Sequence, residues 1–207
     1  GALSVIAIAE KDNLFQAPET YMEKISTKVN ERNVVDLDFS VKKNISNLAD
    51  YLNKDPKNLT ACILDRPRHF EIIENLKKLN VNINLITDGD VSGALLVTND
   101  SYNVDIFLGT GGGPEGVLAA AALDAYDCHF QGKFIFDNEN DIREAKSMGI
   151  QDLNKKYDLK EIVKGDAIFC ATAITNTMLM KGVQKENNNF YNTETLVTYK
   201  NLKKNHH

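Results

Sequence analysis

Short apolar runs recur along the chain, and between them apolar positions fall at helical spacing. Residues 3–9 (Leu-Ser-Val-Ile-Ala-Ile-Ala), 59–64 (Leu-Thr-Ala-Cys-Ile-Leu), 82–87, 104–108, 130–136 and 166–172 read as strands. Runs of that length bounded by turn residues fit buried strands. Residues 193–199 alternate in character and form the expected last strand. Ser40 is placed to cap a helix through Leu52, with Ile45, Leu48, Ala49 and Leu52 on one face. Further helices are predicted over 70–79, around 93–96, after Pro114 and over 138–148. Residues 10–13 make a turn, 17–24 show no period and read as a loop, and 187–189 belong to a polar, asparagine-rich loop. The expected architecture is a mostly parallel α/β sheet with antiparallel additions near the end. No internal repeat or low-complexity segment interrupts it.

In such sheets ligands gather beyond the carboxyl ends of the strands, and three polar clusters stand there. The first is Asp65-Arg66-Pro67-Arg68-His69. In an extended stretch stiffened by Pro67, Arg66 and Arg68 point one way, and two guanidinium forks can hold a phosphate; solvated loop arginines are the plainer reading. The second is Asp88-Gly89-Asp90. Two carboxylates flanking a glycine can accept bonds from sugar hydroxyls or bind a divalent cation; equally, Asp90 can simply cap the next helix.

The third cluster is Gly109-Thr110-Gly111-Gly112-Gly113-Pro114-Glu115-Gly116, between the strand at 104–108 and an alanine-rich helix. Pro114 suits the first helical position. Glycines here admit positive φ and let a ligand approach the N–H groups at the helix start, a place that favours phosphate. No Gly-Lys-Ser/Thr follows, and Pro114 breaks the dinucleotide fingerprint, which disfavours a dinucleotide-dependent oxidoreductase. Glu115 either complements the helix dipole as a surface residue or is a metal ligand beside a phosphate. Tyr21 reads as packing or as a ligand contact, and His69, opening a helix, as a capping or surface residue. His129 has no identifiable partner, no Ser/His/Asp or Cys/His arrangement stands out, and Val91-Ser92-Gly93 departs from a haloacid-dehalogenase nucleophile motif.

Composition narrows the partners. The 207 residues carry a net charge of −5 with both signs mixed and no long basic run, which argues against nucleic acid. No stretch approaches the ~20 apolar residues of a membrane span, and no signal peptide opens the chain. Cys62, Cys128 and Cys170 lack metal-ligand spacing and read as buried thiols of a reducing, cytoplasmic protein. His206 and His207 read as the stub of a purification tag. Opening directly on a core strand implies a missing upstream portion.

Four segments, residues 17–24, 65–69, 86–94 and 109–123, resemble class II fructose-1,6-bisphosphatase in order and spacing, with Gly-Gly-x-Pro-Glu-Gly-Val-Leu-Ala-Ala-Ala-Ala the most specific. The resemblance implies the layered α/β sandwich of the lithium-sensitive, fructose-1,6-bisphosphatase-like sugar phosphatases. It implies hydrolysis of the 1-phosphate of fructose 1,6-bisphosphate in gluconeogenesis, with sedoheptulose 1,7-bisphosphate a further substrate of some relatives, and a homo-oligomer as the expected assembly. Glu115 would then ligate Mn²⁺ or Mg²⁺, Gly112 would offer backbone to the substrate, and Tyr21, Arg66, Pro67, Arg68, Asp88, Gly89 and Asp90 would hold the sugar and its uncleaved phosphate. The family follows its Ala-Thr strand end with glycine and an Asp-Gly; residues 171–177 here have neither, so no site residue is assigned there. Residues 1–207 would be the C-terminal two thirds of such an enzyme, with the other metal-binding carboxylates and the threonine that positions water upstream. The isolated piece is then expected to be inactive, and a non-catalytic sugar-phosphate-binding module is the alternative if the 207 residues are the entire protein.

Overall fold

A computed structural model describes residues 1–186 and 190–200; the asparagine loop at 187–189 and His206 and His207 lie outside the described residues. Six strands form the larger sheet: β2 (Tyr21–Thr27), β3 (Thr60–Leu64), β4 (Asn82–Ile86), β5 (Ile106–Gly112), β6 (His129–Ile135) and β7 (Lys156–Asp158). Their order across it is β4-β3-β5-β2-β6-β7. A second sheet sets β1 (Leu3–Ala9) beside β8 (Ala167–Ala173), which also pairs with β11 (Thr195–Tyr199). A two-stranded ribbon, β9 (Gln184–Lys185) with β10 (Tyr191–Asn192), completes the β structure of the described residues.

Helix α1 (Val41–Leu52) begins as the sequence predicts, with the Ser40 side chain accepting the Lys43 N–H at 3.2 Å. It ends on Asn53 in the left-handed region. Ile45, Leu48 and Ala49 of α1 are buried, as are Ile73 and Leu76 of α2 (Phe70–Lys78). All but Ile73 join Ile25, Ala61, Ile106 and Leu108 in a core on one face of the larger sheet. Helices α3 (Asp90–Leu95) and α4 (Gly113–Asp124) cover the other face. Ala119, Ala120, Ala121, Ala122 and Leu123 are all at most 1% exposed, because α4 packs between the two sheets. A helix apolar all round is stable only when enclosed in this way. Helices α5 (Glu139–Ser147) and α6 (Leu159–Ile162) lie further along the chain. The layers run helix, mixed sheet, helix, antiparallel sheet, the α/β sandwich that the resemblance implies.

The sheet is not mostly parallel. Only β4, β3 and β5 run parallel, while β2 is antiparallel to both β5 and β6, and β6 to β7. The segment read as a loop supplies the reason. Tyr21–Thr27 is an interior strand whose inward positions include Lys24, Ser26 and Thr27, all at most 1% exposed. Those polar groups are satisfied in place: Ser26 Oγ donates to Ala94 O at 3.2 Å, Thr27 Oγ1 to Asp105 O at 2.7 Å, and Lys24 pairs with Asp90. Buried polar residues that find partners leave no hydropathy signal. Once β2 is missed, β5 and β6 look like parallel neighbours. The Cys170 reading is also corrected: Cys62 and Cys128 are buried, but Cys170 faces outward from β8 and is half-buried.

Candidate active site

The three parallel strands β4, β3 and β5 end side by side, and each delivers one of the three clusters. Strand β2 begins at the same edge, Tyr21 standing opposite Gly112 in the β2–β5 register. The result is a cavity of about 160 Å³ bordered by Tyr21, Arg66, Arg68, Asp88, Gly89, Asp90, Gly111, Gly112 and Glu115. Every side chain that the sequence singles out for ligand or metal is therefore in one place, and Pro67 lies between the two arginines. A second cavity of about 310 Å³ adjoins it, sharing Tyr21, Gly112 and Glu115 and adding the carboxylates of Glu19, Asp137 and Asp141.

The arginines meet by a different route from the one expected. Pro67 does not keep the segment extended; it opens a 3-10 turn over Pro67–His69. Arg68 Nε donates to Thr110 O at 2.9 Å, and its guanidinium carbon lies 5.0 Å from the Tyr21 ring centroid. Arg66 Nη1 donates to Asp65 O at 3.0 Å, and Nη2 stands 3.9 Å from Asp88 Oδ1. Arg66 is thus held at the end of its own strand and Arg68 by β5, each with donors left over for a ligand.

His69 is a correction. It stands at the N-cap position of α2, but its side chain makes no cap bond there and is fully buried rather than on the surface. The Thr110 N–H donates to Nε2 at 2.8 Å, so the proton sits on Nδ1, which lies 2.8 Å from Leu64 O. The imidazole thereby staples the end of β3 to the glycine run of β5. Burial, with Arg68 and Arg66 nearby, pushes its pKa below the usual histidine value, so it stays neutral. The Cys62 thiol, on β3 itself, is pushed up to about 12 by burial.

The glycines act through absence of bulk. Residues 109–112 are strand, and α4 starts at Gly113, so Pro114 is its second residue. The positive φ that matters at the cavity is that of Gly89, +87°, which turns the chain from β4 into α3. Gly89 is also the residue preceding that helix, so Asp90 does not cap it. Instead Asp90 forms an ion pair with Lys24, a residue that sequence reading passed over because it lies in the supposed loop. Lys24 is 1% exposed. Burial holds its pKa below the usual lysine value, against the pull of Asp90 and Glu115.

At the start of α4 the Gly113 N–H donates to Thr20 O at 2.7 Å and no side chain caps the helix. Pro114 has no N–H, so within this first turn Glu115 supplies the remaining donor that helix geometry leaves unused. Glu115 is exposed at this end and carries no hydrogen bond or ion pair among the described residues. Its free carboxylate fits a cation ligand, but a hard divalent cation takes about six oxygens. Among the described residues no group of three His, Cys, Asp or Glu side chains is placed to hold one.

Fold and site together define a layered α/β sandwich with a polar, charge-lined cavity where the parallel strands of a mixed sheet end. The family described as bacterial fructose-1,6-bisphosphatase, glpX-encoded, matches residues 1–206, and the chain belongs to that family. It is 35% identical over 197 residues to a D-fructose 1,6-bisphosphatase class 2/sedoheptulose 1,7-bisphosphatase of a Synechococcus species, and 36% identical over the same length to those of a Synechocystis species and Acaryochloris marina. Each comparison covers 89% of this chain and 57% of the relative, so the chain spans just over half the length of the curated relatives it matches. Among the described residues no helix is long and apolar enough to cross a membrane.

Proposed function

We propose that this chain is the substrate-holding part of a metal-dependent sugar bisphosphatase that removes the 1-phosphate of fructose 1,6-bisphosphate. The observation that carries the reading is the meeting of two pinned arginines, two carboxylates and an unpaired Glu115 around one cavity, in a chain of this family. Arg66, Arg68 and Tyr21 grip the phosphate that stays on the sugar, through charge-assisted bonds and ring contact. Asp88 and Asp90 accept bonds from sugar hydroxyls, with Gly89 shaping their turn, and the Gly112 backbone faces the substrate. Glu115 is one ligand of Mn²⁺ or Mg²⁺; when bound, such a cation neutralises phosphate charge and lowers the pKa of coordinated water. The other ligands come from outside the described residues. The relatives' names add sedoheptulose 1,7-bisphosphate as a second candidate substrate. A cytoplasmic homo-oligomer is the assembly this reading carries.

The test is phosphate release from fructose 1,6-bisphosphate by the intact protein with Mn²⁺. One phosphate per sugar is expected, leaving fructose 6-phosphate. Arg66→Ala and Arg68→Ala should each weaken substrate binding by about 1.5–3 kcal/mol, the size of a bond to a charged group. The loss should be smaller for a substrate lacking the second phosphate. A protein that binds the bisphosphate but releases nothing would be the non-catalytic binding module instead.

A further inference from the structure

The cavity holds three carboxylates, and what each one faces differs. Asp88 has the Arg66 guanidinium at 3.9 Å, Asp90 is ion-paired with the buried Lys24, and Glu115 forms no ion pair among the described residues, lying only in the longer-range field of the same Lys24. Lys24 comes from the middle of β2, opposite Gly109 in register, and reaches Asp90 through space that glycines leave open. A β-carbon added at Gly111 would lie 3.2 Å from Lys24 Nζ and 3.0 Å from Asp90 Cγ; one at Gly116 would lie 3.1 Å from Lys24 Cε. The ion pair engages Asp90 Oδ2, and no bond among the described residues engages Oδ1.

We propose that Lys24 is a positioning residue that commits Asp90 to the sugar and withholds it from the divalent cation at Glu115, an inference that rests on the bisphosphatase reading. A divalent cation collects anionic oxygens, and a carboxylate already neutralised by a buried ammonium is a poor donor to it. The same carboxylate still accepts a hydroxyl bond at Oδ1. The ion pair behind each carboxylate therefore sorts them: Arg66 and Lys24 keep Asp88 and Asp90 for the sugar, and Glu115, with no ion pair of its own, takes the metal. Without Lys24, Asp90 becomes a second anionic donor facing the metal.

A double-mutant cycle on the intact protein tests this, with Mn²⁺ alone as the probe, titrated by electron paramagnetic resonance. Lys24→Met should tighten Mn²⁺ about tenfold and weaken fructose 6-phosphate, measured by calorimetry without metal, by a similar factor. With Asp90→Asn also present, the same change at Lys24 should move Mn²⁺ affinity less than about twofold. Equal tightening in both backgrounds would make Lys24 a plain repulsive charge, and no tightening would make it a packing residue; either overturns the proposal. If Lys24→Met does not fold, Lys24→Gln runs the same cycle. The Mn²⁺ arm involves neither sugar nor turnover. Failure to hydrolyse the bisphosphate therefore overturns the functional reading, whereas an uncoupled cycle in an active enzyme overturns only the role of Lys24.

Discussion

Tyr21 and Lys24 stand three residues apart on one strand, yet the tyrosine is 45% exposed and the lysine 1%. They mark the two tiers of the cavity. Its rim carries Tyr21, Arg66, Arg68, Asp88 and Glu115, long side chains reaching into solvent from strand ends and turns. Its floor is Asp90 with the buried Lys24 and His69 behind the lining, held by an ion pair and by backbone groups of Leu64 and Thr110. Charges on the rim are screened by water and cheap to place. Charges on the floor are tolerated only because each has its partner, and removing one partner leaves the other stranded. Rim residues should therefore fail in chemistry and binding, and floor residues in folding as well.

Glu115 gives the largest effect and the purest rim behaviour. Glu115→Gln keeps size and hydrogen bonding but removes the charge. Stability should be nearly unchanged, whereas kcat of the complete enzyme should fall on the order of 10²-fold or more, the usual loss for one oriented electrostatic group. The Mn²⁺ concentration for half-activation should rise. Full activity at limiting Mn²⁺ would reduce Glu115 to a helix-dipole residue and erase the distinction on which the rim rests.

Gly111 and Gly112 sharpen the comparison, since adjacent residues face different tiers and neither has positive φ. An added β-carbon at Gly111 meets Asp90 held by Lys24; at Gly112 it meets the free end of exposed Glu115, 2.7 Å from Cδ. Gly111→Ala should cost about 1–3 kcal/mol in denaturant unfolding, as overpacking does. Gly112→Ala should stay within about 0.5 kcal/mol, as surface changes do. Equal costs would show that the floor is no more rigid than the rim.

His69 gives the smallest effect. Its folded pKa lies below the ordinary value of 6.5, so the unfolded chain takes up the proton first. The stability tied to neutral His69 is complete above pH 6.5 and drains as pH falls towards the depressed value, at no more than about 1.4 kcal/mol per pH unit. His129, also pushed down by burial, adds a similar slope. Urea midpoints at pH 7.5 and 5.5 should differ less in His69→Gln than in the parent protein. An unchanged difference would mean that the imidazole accepts the proton without leaving its place.

These tiers were not equally legible in the sequence. Rim residues announced themselves, because arginines, paired aspartates and a glutamate after a glycine run have few structural uses at three successive strand ends. The Ser40 cap and the helical spacing through Leu52 were readable for the same reason: local rules act on neighbouring residues. The floor was not. Lys24 lies 66 positions from Asp90, and His69 lies 41 from Thr110, so nothing near either residue signals its partner. The strand that bears Lys24 hid behind its own polarity, which concealed the antiparallel centre of the sheet. Pro67 misled in the other direction, since a proline that can stiffen an extended segment can equally open a 3-10 turn.

The small sheet offers a practical opening. Its inner face packs on α4, but its outer face shows Ile6, Ile8, Ile168 and Val197 to solvent, with Cys170 in register beside Ile6 and Val197. The other two thiols are shut inside, and that of Cys62 stays protonated at any ordinary pH. A thiol-directed dye would thus report from one address in the native protein without mutagenesis. Its emission would register water at that oily surface, and the loss of that water whenever something settles there.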